Sequence, residues 1–337
     1  MVIRYAEFCT GIGGFRIGIE SSNLPSVKIY SNEISDSCEK TYFANYRELF
    51  DSKDLFQIEP TDLPDFDMMC AGFPCQPFSQ AGKGLGFHDD RGTVFFKLME
   101  IIKAKKPKIL FFENVPNLVR HDKGNTFEVI KKSIIDIGYN FNYQIIDSKY
   151  FGVPQSRQRV YVVCFLKEIF GDRSFTFTQK RMEVVGLRGF LNTGDNSIPI
   201  SSKWNEYIDY YCGKKNENQL SFSLVKTRKS LERIAPGCDL DDCVLQIRSS
   251  GIRAYSLDTP YPTFAVSNSG GGAMIPVLTK ERRHLNLVEM RRIMGFPENF
   301  ILTNVSRTDA IKQLANAVCP PVIQSICNDI NVYINHK

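Results

Sequence analysis

Between residues 3 and 165, short apolar runs alternate with amphipathic stretches, and this alternation narrows the fold more than any other feature of the 337-residue chain. Ile3–Phe8 reads as a strand, followed by the turn GIGG and a helix from about Phe15. Val27–Ser31 reads as a second strand with helical Ser35–Tyr46 after it, and Phe66–Ala71 as a third. Thr93–Lys106 has helical spacing through Val94, Leu98, Ile101 and Ile102, and Lys108–Phe112 (KILFF) is a buried-strand run. Asn125–Ile137 is helical, then Tyr139–Asp147 leads to the strand RVYVVCF at Arg159–Phe165. Strand–helix alternation of this kind predicts a doubly wound α/β sheet, whose ligands sit at the carboxyl ends of its strands. GIGG, Glu33, Cys75 and Glu113 all follow predicted strands, so one rim of one sheet gathers them.

The alternation stops near Lys167. Residues 168–260 are irregular and polar, which predicts a separate, smaller domain. Pro262–Pro276 (PTFAVSNSGGGAMIP) reads as strand, loop and strand, and helices return at Asn286–Met294 and from Thr308 to Ile334, interrupted at Pro320-Pro321. No repeat or low-complexity tract is present. No run of about 18 apolar residues suggests a membrane span, and the N-terminus does not resemble a secretory signal, so a cytoplasmic location is expected. The ten cysteines include no CxxC pair, so reduced thiols and no metal site are expected. Cations and acids balance at twenty each over residues 1–165, while residues 166–337 hold 22 against 17. The whole excess of +5 thus lies in the C-terminal half, which suits a polyanion partner or simply a solvated basic surface.

Four constellations carry possible chemistry. Phe8-Cys9-Thr10-Gly11-Ile12-Gly13-Gly14 links a strand to a helix, and glycines there allow close backbone approach to a ligand. Glu33 ends the next strand at a distance suited to a ribose, which fits an adenosine-containing cofactor; a tight turn without ligand is the alternative. Cys75 lies between Pro74 and Pro77, which fix the thiol's direction, and Gly82, Gly84, Gly86 and Gly92 make the following stretch a candidate lid. A packed cysteine in an ordinary loop is the plainer reading. Glu113 ends the apolar run FFENVP, where desolvation raises a carboxyl pKa and suits it to act as an acid; a strand-end glutamate paired with arginine is equally ordinary. Arg157 and Arg159 are two apart on an extended segment, so both face one side, either toward a cleft or toward solvent.

Taken together, these segments resemble the DNA (cytosine-5)-methyltransferases, most closely the bacterial ones of restriction–modification type. The resemblance covers nearly the whole chain in the family's motif order. FCTGIGGF is similar to the first cofactor motif, SNE at Ser31–Glu33 to the ribose-binding one, GFPCQPFS at Gly72–Ser79 to the nucleophile motif and RGTVFF at Arg91–Phe96 to the next. ENV at Glu113–Val115 is similar to the acid motif and QSRQR at Gln155–Arg159 to the arginine motif. Arg282–Phe300 and Gln313–Ile326 resemble the last two motifs. The departures are few: Ala6-Glu7 where Asp-Leu is usual, Ile34 where Trp is frequent, and Ala315-Asn316-Ala317 where Gly-Asn-Ser or Gly-Asn-Ala is frequent.

The resemblance implies a Rossmann-like S-adenosylmethionine-dependent methyltransferase fold of α/β class, with a smaller, mostly-β recognition domain. Residues 1–167 plus 283–337 would form the catalytic domain and 168–282 the target-recognition domain. It implies Cys75 as nucleophile at cytosine C6, Glu113 as acid at N3, Arg159 at O2 and Arg157 as their support. It places S-adenosylmethionine against Phe8, Gly11, Ile12, Gly13, Gly14, Glu33, Ile34, Asp54, Leu55, Gly72, Pro74, Val94, Asn316 and Ala317. DNA would meet Gln76, Ser79, Arg91, Arg228, Arg248, Arg253 and Thr263, with the target base flipped from the duplex. The implied partners are double-stranded DNA, bound by a monomer, and a restriction endonuclease acting separately. A transfer-RNA methyltransferase of the same fold would usually read Pro-Pro-Cys-Gln-Pro-Phe-Thr at the nucleophile. A nicotinamide oxidoreductase would leave Cys75 and QSRQR without a role, and a catalytically dead homologue is disfavoured by the presence of Cys75, Glu113 and Arg159.

Overall fold

The computed structural model describes residues 1–73, 94–178, 182–192, 198–248, 250–264 and 275–335. Strands β1 (Ile3–Phe8), β2 (Ser26–Asn32), β3 (Met68–Gly72) and β4 (Ile109–Asn114) run parallel in the order β2-β1-β3-β4. β5 (Asn142–Asp147) closes the far edge, and after the short β6 (Gln155–Ser156) the strand β7 (Gln158–Phe165) inserts antiparallel between β4 and β5.

β4 shows why this sheet is buried on both sides. All six of its residues are buried, and they alternate between two cores: Ile109 and Phe111 face one, Leu110 and Phe112 the other. On the Leu110 side lie helices α3 (Val94–Lys105) and α4 (Asn125–Asp136), through Leu98, Ile102, Ile130 and Ile134. On the Ile109 side lie α1 (Gly14–Glu20) and α9 (Pro320–Asn335), through Phe15, Ile19, Ile323 and Ile326. α2 (Asp36–Tyr46) follows β2, its first turn capped by the Ser35 hydroxyl. Pro320-Pro321 open α9, where a missing amide N–H leaves no helical bond unmade.

A second six-stranded sheet is assembled from very short pieces. It contains β8 (Ile198–Pro199), β9 (Arg233–Ile234), β10 (Cys243–Ile247), β11 (Ile252–Ser256), β13 (Val277–Leu278) and β14 (Arg283–His284), in the order β8-β14-β13-β10-β11-β9. β12 (Tyr261–Pro262) leaves this sheet and pairs in parallel with β6. α5 (Lys167–Phe170), a single turn, follows β7, and α6 (Ser202–Tyr211) runs ten residues beside the second sheet. α7 (Leu287–Ile293) and α8 (Arg307–Asn316) complete the region.

Packing divides the chain differently from the boundaries 167 and 283 at two points. Phe170, Phe175 and Phe177 belong to the core behind the first sheet, so the crossing falls beyond Phe177. Arg283–His284 is a strand of the second sheet, and α7 and α8 share a core with β10 and β13. Of the C-terminal segment, α9 packs against the first sheet's α1 through Ile323. No helix among the described residues is long and apolar enough to cross a membrane.

Candidate active site

A cleft of about 800 Å³ opens at the carboxyl rim of the first sheet. The chain turns tightly there. β1 ends at Phe8, and Cys9, Gly11 and Gly13 all take left-handed backbone angles before α1 begins. This curl aims the Gly11 N–H at the end of β2, where it donates to Glu33 Oε2 at 3.0 Å. The other oxygen of Glu33 accepts from the Ile34 and Ser35 amides at 3.0 and 3.2 Å. The carboxylate therefore has a fixed orientation at the cleft wall before any ligand arrives. Next to it, Asn32 Nδ2 donates to the carbonyls of Asp51 and Lys53, both at 2.8 Å, which seats the segment carrying Asp54, Leu55 and Phe56. Ile34 and Phe56 line the cleft yet are 62% and 43% exposed, an apolar exposure that an aromatic heterocycle would cover.

At the other end of the cleft stands the acid. Glu113 is the penultimate residue of β4, and β7 runs antiparallel to β4, so the beginning of β7 lies at the same rim as the end of β4. That reversal is why QSRQR meets ENV. Arg159 Nε lies 3.0 Å from Glu113 Oε1, with both side chains nearly excluded from solvent. Gly72 stands opposite Glu113 in the neighbouring strand, and its missing Cβ leaves Glu113 Oε2 unobstructed on that side. Burial raises the Glu113 pKa above the usual carboxylate range, against the opposing pull of Arg159 and Arg157. An acid that keeps its proton readily and holds a guanidinium in place is suited to donate to a base or carbonyl where negative charge develops.

Arg157 behaves differently from its neighbour. It is 3% exposed, and its Nη2 donates to the carbonyls of Ala315 at 3.0 Å and Ala317 at 2.9 Å. It thereby fastens the end of α8, which brings Asn316 into the cleft. Toward Glu113 it acts through space by its charge, while its hydrogen bonds go to these two carbonyls. Burial and the adjacent Arg159 charge lower the Arg157 pKa to about 10, and its Nε and Nη1 have no partner among the described residues.

Of the residues singled out from sequence, Gly11, Ile12, Glu33, Ile34, Asp54, Leu55, Gly72, Val94, Glu113, Arg157, Arg159 and Asn316 line this one cleft. Phe8, Gly13, Gly14 and Ala317 stand behind its wall. The Phe8 ring packs on Tyr30 and Phe66, Gly13 takes φ +82° beneath Tyr46, and a methyl on Gly14 would lie 2.8 Å from Val318 Cγ2. Ala317 contributes the carbonyl that Arg157 holds. Pro74, Cys75, Gln76, Ser79 and Arg91 lie outside the described residues. Sequence reasoning passed over Phe56 and Lys312, which also line the cleft. Lys312 lies one helical turn before Asn316, so helical periodicity would have found it.

The residues expected to touch DNA are placed as follows. The Arg228 guanidinium lies over the Trp204 ring at 5.3 Å, and Arg253 pairs with Glu232. Arg248 is exposed at the turn between β10 and β11. The Thr263 hydroxyl donates to the Ser156 carbonyl at 3.0 Å.

A nucleotide-type acid at one end of a rim cleft and a buried acid–arginine pair at the other describe an α/β enzyme that brings two substrates together. The chain belongs to the C-5 cytosine-specific DNA methylase family, whose model matches residues 3–332. It is 33% identical over 339 residues to the Type II methyltransferase M.HhaI of Haemophilus parahaemolyticus, covering 99% of this chain and 96% of that protein. It is 35% identical over 334 residues to the Type II methyltransferase M.SsoII of Shigella sonnei, covering 97% and 79%. The fold is shared with Entamoeba histolytica methyltransferase EhMeth, at a TM-score of 0.69 and 20% identity over the full length of both chains. The S. pombe Dnmt2 methyltransferase has a TM-score of 0.67 at 18% identity, with 98% of each chain covered. The chain is thus a DNA (cytosine-5)-methyltransferase with DNA as its substrate.

Proposed function

We propose that the methyl donor is S-adenosyl-L-methionine and that the reaction passes through a covalent bond between Cys75 and C6 of a flipped-out cytosine. The observation that carries this reading is the single cleft that holds both the anchored Glu33 and the Glu113–Arg159 pair. The wall around Glu33 fits an adenosyl group: a fixed carboxylate for ribose hydroxyls, with exposed Ile34 and Phe56 for the ring. When bound, the donor supplies an electrophilic methyl group on a sulfonium.

The chain's own groups do the rest. The Cys75 thiolate adds to C6, and the displaced electron pair moves toward N3 and O2 of the ring. Glu113 delivers its proton to N3 and Arg159 donates to O2, so the charge that develops is met by groups already in position. C5, made electron-rich, captures the methyl carbon as the methyl–sulfur bond breaks and its electron pair stays with sulfur. A base removes the C5 proton, the C6–S bond breaks so that Cys75 leaves as thiolate, and N3 returns its proton to Glu113. Arg157 keeps Asn316 in the cleft wall. The second sheet reads the duplex, the chain acts as a monomer with a separate endonuclease beside it, and the Type II names of the relatives fit a restriction–modification setting.

Cys75→Ser is expected to abolish methylation while retaining DNA binding, and 5-fluorocytosine at the recognition site is expected to trap a complex that survives denaturation. Normal methylation by the serine variant, or release of all the protein on denaturation, overturns the covalent route.

A further inference from the structure

Three cysteines from separate elements meet at the start of β10. Cys212 caps the end of α6, Cys243 opens β10, and Cys238 lies in the loop that joins β9 to β10. Cys212 Sγ and Cys243 Sγ both donate to the Leu240 carbonyl, at 3.3 and 3.7 Å. The thiols of Cys238 and Cys243 are hydrogen-bonded to each other. Two successive turns of the loop bring this about. Gly237 takes φ +69° and the Cys238 amide donates to the Ala235 carbonyl at 3.2 Å. The Asp242 amide then donates to the Asp239 carbonyl at 3.1 Å, which returns the chain to Cys243.

The two contacting thiols differ in freedom. Cys243 is fixed: it is fully buried, its amide donates to the Thr279 hydroxyl at 2.9 Å, and its carbonyl accepts from the Thr279 amide at 3.0 Å. Cys238 is partly exposed, between the exposed Gly237 and Asp239. Burial pushes the Cys212 thiol up to about 11 and raises Cys238 and Cys243 as well, so all three rest as neutral thiols. A low pKa is therefore not what favours bond formation here; the nearness of the second sulfur is. The loop also continues directly from β9, the edge strand whose Arg233 and Ile234 stand in register with Arg253 and Ala254 of β11. Glu232, just before β9, pairs with Arg253.

We propose that Cys238 and Cys243 form a thiol–disulfide exchange site that takes a small dialkyl disulfide and closes into an internal disulfide behind β9. Cys238 loses its proton and attacks one sulfur of the small disulfide, whose S–S bond breaks to release one alkanethiolate, and that thiolate takes up the proton. Cys243 then loses its proton and attacks the Cys238 sulfur, which releases the second alkanethiol. Two protein thiols are oxidised, the small disulfide is reduced to two thiols, and excess thiol reverses both steps. Because Cys243 is fixed, the loop moves toward it, and the strand that moves with the loop is β9 beside Arg253. The site thus acts on duplex binding, a consequence that rests on the reading of the second sheet as the part that meets DNA.

The test treats the reduced protein with bis(hydroxyethyl) disulfide and maps its cysteines by mass spectrometry of a digest. Duplex affinity is read by fluorescence anisotropy before treatment, after it, and again after dithiothreitol. The expected result is a link between Cys238 and Cys243, with affinity weakened roughly three-fold, the scale of one displaced surface charge contact, and restored on reduction. Cys238→Ser is expected to form no such link and to keep its affinity through the same treatment. Recovery of Cys238 and Cys243 as free thiols, or a link from either to another cysteine, overturns the exchange site. An equal loss of affinity in Cys238→Ser overturns it as the cause. A link formed at unchanged affinity overturns its hold on duplex binding; if Arg248→Ala also binds the duplex as the parent does, the failure lies with the reading of the second sheet.

Discussion

Glu7 occupies a position in the middle of a buried strand that an apolar side chain would fill at less cost. It is 1% exposed; the Thr10 hydroxyl donates to one of its oxygens, and the other has no partner among the described residues. Burial pushes its pKa up to about 7, against the opposing influence of Thr10, Arg16 and Lys28. The folded chain therefore holds this proton more tightly than the unfolded chain, whose glutamate releases it near pH 4.5. Stability from this group is fully present below pH 4.5, is lost as pH rises to about 7, and is flat above. The loss amounts to about 3.5 kcal/mol at most, taking about 1.4 kcal/mol per pH unit. Glu7→Gln cannot ionise, so it should be the more stable protein in urea melts at pH 8, with the gap closing by pH 5. A constant difference across that range would show that Glu7 is not the group responsible. The cost at Glu7 was not visible from the sequence, where Ala6-Glu7 registers only as a departure before Phe8. The Glu113–Arg159 contact was visible, because the ends of two strands fix it. What Arg157 does was not, since its partners are carbonyls about 160 residues further along the chain.

At the scale of elements, glycine had two meanings that local reading cannot separate. In GIGGFRIG the first four residues read as a ligand-binding turn and the rest as the start of a helix, and Gly11 does line the cleft. Gly18 serves a different end: it lets α1 lie directly against α9, while Gly14 makes room for Val318 just before that helix. A Cβ on Gly18 would fall 2.4 Å from Ile323 Cβ and 2.7 Å from the Pro320 carbonyl oxygen. Gly18→Ala gains about 1 kcal/mol of helix propensity but forces two packed helices apart, which typically costs 1–3 kcal/mol and here meets backbone as well as side chain. The clash should win. Urea unfolding is expected to show a net loss of at least about 1 kcal/mol, and an alanine variant as stable as the parent would mean that α9 shifts freely. The first sheet was readable because each strand is long enough to show its own pattern. The second was not, since four of its six strands are two residues long and carry no period. α6 escaped for another reason. Its Trp204, Tyr207, Ile208 and Tyr211 do recur at helical spacing, but aromatic residues favour strands locally and only packing decides between the two.

Across the whole molecule, the excess charge and the ion pairs together restrict which cations can meet a duplex. The C-terminal half holds all of the net +5, yet many of its cations are already spent on acids of the same chain. Arg188 pairs with Asp242 and Asp258, Arg282 with Asp209, Arg283 with Glu289, and Arg292 with Glu298. A guanidinium engaged in this way contributes less to counterion release, because its charge is already balanced in the free protein. Arg248, exposed at the β10–β11 turn, differs from Arg253, held by Glu232, and from Arg228, stacked on Trp204. The three were equivalent as sequence and are not equivalent in the fold. Arg248→Ala should weaken DNA binding and reduce the slope of log affinity against log salt by about one. Arg253→Ala should change that slope less, because Glu232 already balances its charge in the free protein. Arg228→Ala should lower the melting temperature through lost stacking on α6 before it alters the slope. Fluorescence-anisotropy titrations at a series of salt concentrations separate the three. Equal slopes for all three variants would mean that the ion pairs open on DNA and that net charge, not its partnering, governs the encounter.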